Sequence, residues 1–210
     1  MDNKFYGTIN VDSTHSKSFQ KTDLEKITLF RSQVEIALKN KKLLDRTIYL
    51  SRYDNLTTIY NRSYFEEIMS ELILSSALEE SVFSILVIDI DGLKEINDTY
   101  GHKLGDQMLK DFSDTFKSLI SEKDIFARLG GDEFIAVFFD SNQLASVDLI
   151  QQIKQQLSLH LSNHQRNYDI SFSYGISEYP KDSTNYNELV NIADKNMYSM
   201  KALKKKHSTK

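Results

Sequence analysis

Three short stretches concentrate residue types able to handle a polyanion and a hard cation. The first is Asp89-Ile90-Asp91-Gly92-Leu93-Lys94-Glu95-Ile96-Asn97-Asp98. An Asp-x-Asp that closes an apolar run presents carboxylates at the C-terminal edge of a strand, where open α/β sheets hold ligands. Mg²⁺ takes oxygen ligands and keeps waters or phosphate oxygens in its other positions. One or two carboxylates on a rigid strand end therefore make half of a metal site. The second stretch is Arg128-Leu129-Gly130-Gly131-Asp132-Glu133-Phe134, two acids directly after a tight turn. Its glycines let a phosphate approach the backbone with no Cβ in the way. The third, Ala193-Asp194-Lys195-Asn196-Met197-Tyr198-Ser199-Met200-Lys201, runs into Lys204 and Lys205. Lys201 and Lys205 are four apart on one helix face and could neutralise a polyphosphate. Taken singly, each stretch also has an ordinary reading: a solvated strand exit, a polar hairpin tip, a frayed C-terminal lysine cluster.

The elements that must position these residues follow from periodicity. An apolar run at Val82–Ile88 has no polar alternation, as expected of a central strand covered on both faces. Helices are predicted at about 62–79, 104–121, 143–162 and 185–203, and strands at 125–129, 134–139 and 168–177. Gly130-Gly131 suits a type I′ hairpin turn between two of those strands. Upstream, Thr22-Asp23-Leu24-Glu25 has the form of a capping box. From Leu24 the apolar positions Ile27, Phe30, Val34 and Leu38, then Leu43, Leu44 and Ile48, recur every few residues, with no Gly or Pro up to Tyr53. A helix of about 30 residues extends roughly 45 Å, too long to lie wholly on a domain of this size. Its length and spacing favour a dimerising stalk over a surface helix. Before it, Phe5–Asp12 has strand-like alternation. The expected architecture is α/β: a palm-like mixed sheet of about five strands flanked by helices, with an N-terminal stalk.

Composition excludes several classes. The chain has 210 residues, 40% of them hydrophobic, with a net charge of -4. That is core material enough for a folded domain and too little positive charge to wrap nucleic acid. There is no Cys, hence no disulfide framework or thiolate chemistry. No apolar run approaches the roughly 20 residues of a membrane span, and no signal-peptide core is present. The expectation is a soluble cytoplasmic protein with no membrane or nucleic-acid partner.

Together and in this order, the motifs resemble the GGDEF domain family, typically diguanylate cyclases, over about 54–205. Asp54-Asn55-Leu56-Thr57-Thr58-Ile59-Tyr60-Asn61-Arg62 is similar to the family's opening D-x-L-T-G-L-x-N-R. Asp89 to Lys94, Asn97 to His102 and Gly105-Asp106 match its second block, and Gly130-Gly131-Asp132-Glu133-Phe134 is the signature, intact. Ser171 to Ile176 and Ala193-Asp194 with Tyr198 and Lys201 resemble its closing strand and helix. The resemblance implies a domain over 53–210, behind a stalk over 22–52. The segment 1–21 is similar, more weakly, to the end of a GAF sensor domain, implying an upstream sensor.

The implied activity is condensation of two GTP into cyclic di-GMP by a dimer joined through the stalk. The alternative is a non-catalytic module that binds GTP or cyclic di-GMP. A third reading, a palm-type polymerase or adenylate cyclase, leaves Asn97 and Asp106 unexplained. By resemblance Asp89, the Ile90 carbonyl and Asp132 hold Mg²⁺, or Mn²⁺ in its place. Asn97 and Asp106 read guanine, whose O6 accepts and whose N1 and N2 donate. His102 and the amides around Leu93 approach the nucleotide, while Lys94, Lys201 and Lys205 meet its phosphates. Asp132 or Glu133 assists deprotonation of the attacking 3′-hydroxyl. Several positions depart from the pattern. Thr58 stands at the first motif's glycine, Leu93 at an aromatic position, and Lys204-Lys205-Lys206 where the family has Gly-Arg-Asn. Lys205 thus brings charge without a bidentate fork. The Arg-x-x-Asp of product inhibition reads Ser121-Glu122-Lys123-Asp124, with its arginine missing.

Overall fold

A computed structural model describes residues 7, 8, 10–12, 14, 20–79 and 81–208. It divides into two compact units, Met1–Thr47 and Ile48–Lys210. Helix α1 (Lys21–Arg52) buries none of its side chains. Phe30, Leu38 and Leu44 remain 54%, 42% and 59% exposed. The helix begins earlier than the capping box suggested: Asp23 accepts the Gln20 amide at 2.9 Å, so the N-terminal bond is made from residue 20. Phe5, Tyr6 and Ile9 of the strand-like segment lie outside the described residues. Gly7, Thr8 and Asn10–Asp12 carry no strand.

The second unit is built on a five-stranded mixed sheet in the order β1-β3-β4-β2-β5. The strands are β1 (Tyr60–Asn61), β2 (Phe83–Ile90), β3 (Ile125–Gly130), β4 (Glu133–Phe139) and β5 (Phe172–Tyr179). β2 pairs antiparallel with β4 and β5, β3 pairs antiparallel with β4, and β1 lies parallel to β3. Every residue of β2 is buried, because its alternating side chains enter two separate cores. Leu86, Ile88 and Ile90 join Phe112 and Phe116 of α4 (His102–Leu119) and Ile150 and Ile153 of α5 (Gln143–Asn163). Phe83, Ile85 and Val87 join Phe65 and Met69 of α2 (Arg62–Glu79) and Leu189 and Ala193 of α6 (Tyr186–Ser208). Phe112 anchors the first core, with the Phe134 and Phe172 ring centroids 5.0 and 5.3 Å away. Such pairs add about 0.5–1.5 kcal/mol each beyond burial.

Four local expectations are corrected. Strand β5 starts at Phe172, four residues late, because the Tyr168 hydroxyl is drawn to Asp111 at 2.6 Å and the chain joins the sheet only afterwards. The hairpin turn is centred on Gly131-Asp132, not Gly130-Gly131: Gly130 pairs with Glu133 across it. It is also not type I′, since Gly131 has φ 54° but Asp132 is absent from the positive-φ residues. A short helix α3 (Leu93–Tyr100) lies within the first motif, where no helix was expected. Lastly, α6 runs through the lysine cluster to Ser208 in place of fraying at 203.

Candidate active site

The C-terminal end of β2 and the β3–β4 turn meet at one edge of the sheet. Asp89 lies opposite Glu133 of β4 on one side and Ser173 of β5 on the other. The Ile90 amide donates to the Asp132 carbonyl at 3.0 Å, fastening the turn to the strand end. Asp132 is half-buried and Glu133 exposed. Lys201 of α6 reaches in and places Nζ 2.6 Å from Asp89 Oδ1.

The electrostatics of this edge are unbalanced. Burial raises the Asp89 pKa, the bond to Lys201 opposes that, and the charges of Asp132 and Asp91 push it up again; the net direction is upward. For Lys201 burial works toward a lower value, but the bond to Asp89 and the charges of Asp132 and Asp91 raise it. Burial is the largest cause at Asp89; beside it, the charges of Asp132 and Asp91 act on both groups in one sense, favouring the protonated form of each. Asp89, Asp132 and the Ile90 carbonyl carry the kind of oxygen a hard divalent cation takes, and would hold one if phosphate oxygens completed its shell. Among the described residues no cluster of three or more His, Cys, Asp or Glu is arranged to hold a metal.

The signature turn is tied to the opening motif by Arg128. Its Nη1 lies 3.1 Å from Asp54 Oδ1, while Nε and Nη2 donate to the Gly131 carbonyl at 3.1 and 2.7 Å. Asp54 also accepts from the Thr57 amide and hydroxyl at 2.9 and 2.7 Å. Burial works against its charge, but Thr57 and Arg128 together lower its pKa. Asn61 then bonds the Ser51 carbonyl at the end of α1 and caps α2 through the Tyr64 amide. Sequence reasoning named Asp54 and Arg128 as motif members without finding this link. No local signal pairs two residues 74 positions apart.

The first turn of α3 follows Gly92, which has φ 76° and provides no side-chain cap. Its leading amides, around Leu93, are therefore donors that an anion can take. Leu93 is buried and holds the turn down, and Lys94 is exposed beside it. Asn97, half-buried on α3, faces α4 at Gly105: a Cβ there would stand 2.1 Å from Asn97 Oδ1. Asp106 follows immediately, exposed, as is His102 at the start of α4. The two residues assigned to guanine are thus brought to the junction of α3 and α4.

On α6, Gly175 of β5 allows a close approach, since a Cβ there would meet the Ala193 carbonyl at 2.0 Å and the Met197 amide at 2.3 Å. Lys205 is exposed. Lys204 belongs to a cluster whose sequence fits a phosphate-facing helix end and a solvated tail equally. Its ammonium is bonded to Asp91, Ser171 and the Phe172 carbonyl. At the degenerate Arg-x-x-Asp position, Asp124 accepts from the Ser121 and Phe139 amides at 2.8 and 3.0 Å, so its carboxylate is engaged in holding the loop.

Residues 51–207 match the family model described as "Diguanylate cyclase, GGDEF domain". The chain belongs to the GGDEF family. This GGDEF chain is 32% identical over 205 residues to diguanylate cyclase A of Treponema denticola, covering 95% of this chain and 54% of that protein. It is 35% identical over 150 residues to diguanylate cyclase DgcS of Shewanella oneidensis, covering 71% of this chain and 49% of that one. The chain spans about half the length of these relatives. Among solved structures, the GGDEF-only variant of TpbB from Pseudomonas aeruginosa superposes with TM-score 0.61 at 29% identity, covering 72% of this chain and 89% of that one. The coiled coil and GGDEF domain of DgcB from Caulobacter crescentus, solved with c-di-GMP, shares the fold at TM-score 0.69 and 22% identity, covering 84% and 94%.

Proposed function

We propose that this GGDEF domain condenses two GTP into cyclic di-GMP with release of two pyrophosphates. The observation that carries the reading is geometric: the Ile90 amide bonded to the Asp132 carbonyl fastens the signature turn to the end of β2, so Asp89 and Asp132 stand together beside Lys201, whose Nζ is 2.6 Å from Asp89. In each half-reaction a 3′-hydroxyl oxygen forms a bond to the α-phosphorus of the facing GTP. The bond from that phosphorus to pyrophosphate breaks, and the hydroxyl proton leaves to a base. Asp132 and Glu133 both stand at the turn to receive it. Asp89, the Ile90 carbonyl and Asp132 are the proposed ligands for Mg²⁺ or Mn²⁺. Bound there, the ion would draw charge from the phosphate oxygens. Lys94, Lys201, Lys205 and the leading amides of α3 take the phosphates; Asn97 and Asp106 select guanine, with His102 beside the nucleotide.

Each domain offers a single such edge, so closing the ring needs two chains facing one another. The unburied apolar positions of α1, with Phe30, Leu44 and Ile48 at 54%, 59% and 43% exposure, favour a parallel stalk pairing. The solved DgcB relative carries a coiled coil beside its GGDEF domain. An upstream GAF-type sensor would suit residues 1–21. Among the described residues no helix is long and apolar enough to cross a membrane, and we place the enzyme in the cytoplasm. Incubating the chain with GTP and Mg²⁺ should yield cyclic di-GMP and pyrophosphate in a 1:2 ratio. GTP binding without product would instead identify a receptor.

A further inference from the structure

The active edge receives only the last turns of α6, which are weakly buried. Gly175 and the Asn196 side chain, bonded to the Ile176 carbonyl at 2.9 Å, fix the middle of the helix. Beyond Met200, Leu203 is 58% exposed, and Lys205 and Lys206 are exposed. Met197 is buried and the Met200 sulfur accepts the Tyr174 amide at 3.3 Å, but past Met200 apolar packing does little to hold the end of the helix. Lys204, three residues beyond Lys201, shares its helix face. Its Nζ lies 2.7 Å from Asp91 Oδ2, 2.8 Å from the Phe172 carbonyl and 3.0 Å from Ser171 Oγ. These acceptors come from the segment leaving β2 and the start of β5.

Asp91 is committed to this cage. It also accepts from Ser173 Oγ at 2.9 Å and Ser171 Oγ at 2.8 Å, and its amide donates to the Ser171 carbonyl. The second carboxylate of the Asp-x-Asp thus faces away from metal duty and toward α6. An ammonium with three acceptors on two segments is a geometric clamp, and charge assistance makes such bonds roughly twice as strong as neutral ones.

We propose that Lys204 is a positioning residue: caged by Asp91, Ser171 and the Phe172 carbonyl, it fixes the end of α6 so that Lys201 meets the nucleotide's phosphates at Asp89. The inference rests on the cyclase reading above and adds to it a residue that touches no substrate. Because it acts through Lys201, its loss should be felt by the distal phosphates and not by the base.

The test measures binding of GTP and of GMP, with Mg²⁺, to the full chain and its Lys204→Met, Asp91→Asn, Lys201→Met and Lys201→Met/Lys204→Met variants. Lys204→Met and Asp91→Asn should each weaken GTP roughly tenfold, the worth of one charge-assisted contact, and leave GMP unchanged. The double variant should bind GTP as Lys201→Met alone does. Losses that multiply in the double variant would mean that Lys204 meets the phosphates itself and overturn the proposal. Equal losses for GTP and GMP would make it a general fold contact and do the same. Failure of the unmutated chain to bind GTP would instead sink the cyclase reading, and the inference with it.

Discussion

Two buried aspartates, Asp89 and Asp111, sit in opposite electrostatic conditions. Asp111 of α4 is 4% exposed and receives Arg166 Nε at 2.7 Å, Arg166 Nη2 at 3.0 Å, Tyr168 OH at 2.6 Å and Gln107 Nε2 at 2.9 Å. Burial opposes its charge, but these donors lower its pKa; the phenol of Tyr168 is pushed up by its own burial first and by the bond to Asp111 after it. Asp89, 8% exposed, has Lys201 as its side-chain donor among the described residues; burial first, and the like charge of Asp132 after it, leave its pKa raised. A carboxylate whose lone pairs are satisfied within the chain is architecture. One left short of positive charge beside another is poised for a ligand that brings it.

The comparison breaks most sharply on Asp132→Asn and Asp89→Asn. Each should cut cyclic di-GMP formation about a thousandfold, as loss of a group aimed at transition-state charge does. Neither should lower the thermal midpoint, since neither anchors a core, and Asp89→Asn should if anything raise it. Near-normal turnover by Asp132→Asn would refute the assignment of the edge. Asp111→Ala should do the reverse. Removing the Asp111 carboxylate leaves the buried Tyr168 hydroxyl without its acceptor and the part-buried Arg166 without its partner, and costs about 1–3 kcal/mol. Denaturant unfolding should register that loss, while the folded protein keeps its kcat.

Acid titration sharpens the contrast, because the two linkages have opposite sign. Asp111 has a folded pKa below its unfolded value. Its contribution is full above about pH 4 and is lost as pH falls through the folded value. Asp89 has a folded pKa above its unfolded value, so its ionised form weakens the fold and protonation on acidification relieves that. Without Mg²⁺, Asp89→Asn should make stability rise more steeply with pH across the acid range. Asp111→Asn should make it rise less steeply. Identical slopes in both variants would dissolve the distinction.

What the sequence revealed follows the same division. Asp89, Asp132 and Lys201 stood out in short motifs of acids and lysine, and Asn97 and Asp106 through the family resemblance; the structure brings the first three to one edge and the other two to the α3–α4 junction. The sheet was legible because β2 reads as an unbroken apolar run. Asp111, Arg166 and Tyr168 were not singled out, being joined by bonds across 55 and 57 positions that no window sees. Helix α3 was hidden for another reason. Eight residues give barely two turns of periodicity, and only Leu93 of them is buried. The part Lys204 plays was not legible because a lysine run looks the same whether it meets water or a cage of acceptors.

A smaller effect is expected where α3 meets α4. Gly105→Ala would ordinarily stabilise a helix by about 0.5–1 kcal/mol. Here the new Cβ would stand 2.1 Å from Asn97 Oδ1 and 2.9 Å from its Cγ, so the amide must move. Asn97 is proposed to read guanine, and one displaced polar contact is worth about 1–3 kcal/mol of discrimination. The GTP-over-ATP preference should therefore drop roughly tenfold, with little change in kcat at saturating GTP. An unchanged preference would show that Asn97 takes no part in reading the base.

The least effect belongs to Thr58, beside a third aspartate that is wholly architectural. Asp54 is satisfied by Thr57 and Arg128, and the Thr58 amide closes the same turn on the Asp54 carbonyl at 2.9 Å. To do so Thr58 adopts φ 57°, the left-handed region that a β-branched residue enters at a cost. Glycine carries no such penalty, though it gives the unfolded chain more freedom to lose. Strain should outweigh entropy, because the side chain is exposed and its own packing forfeits little. Thr58→Gly should accordingly stabilise the domain by up to about 1 kcal/mol, seen as a higher urea midpoint with an unchanged slope. Cyclase activity should stay constant, because the turn geometry that seats Arg128 on Gly131 is already the glycine-like one. A rise in activity alongside stability would mean that this turn limits the signature hairpin, and would move Asp54 from architecture toward function.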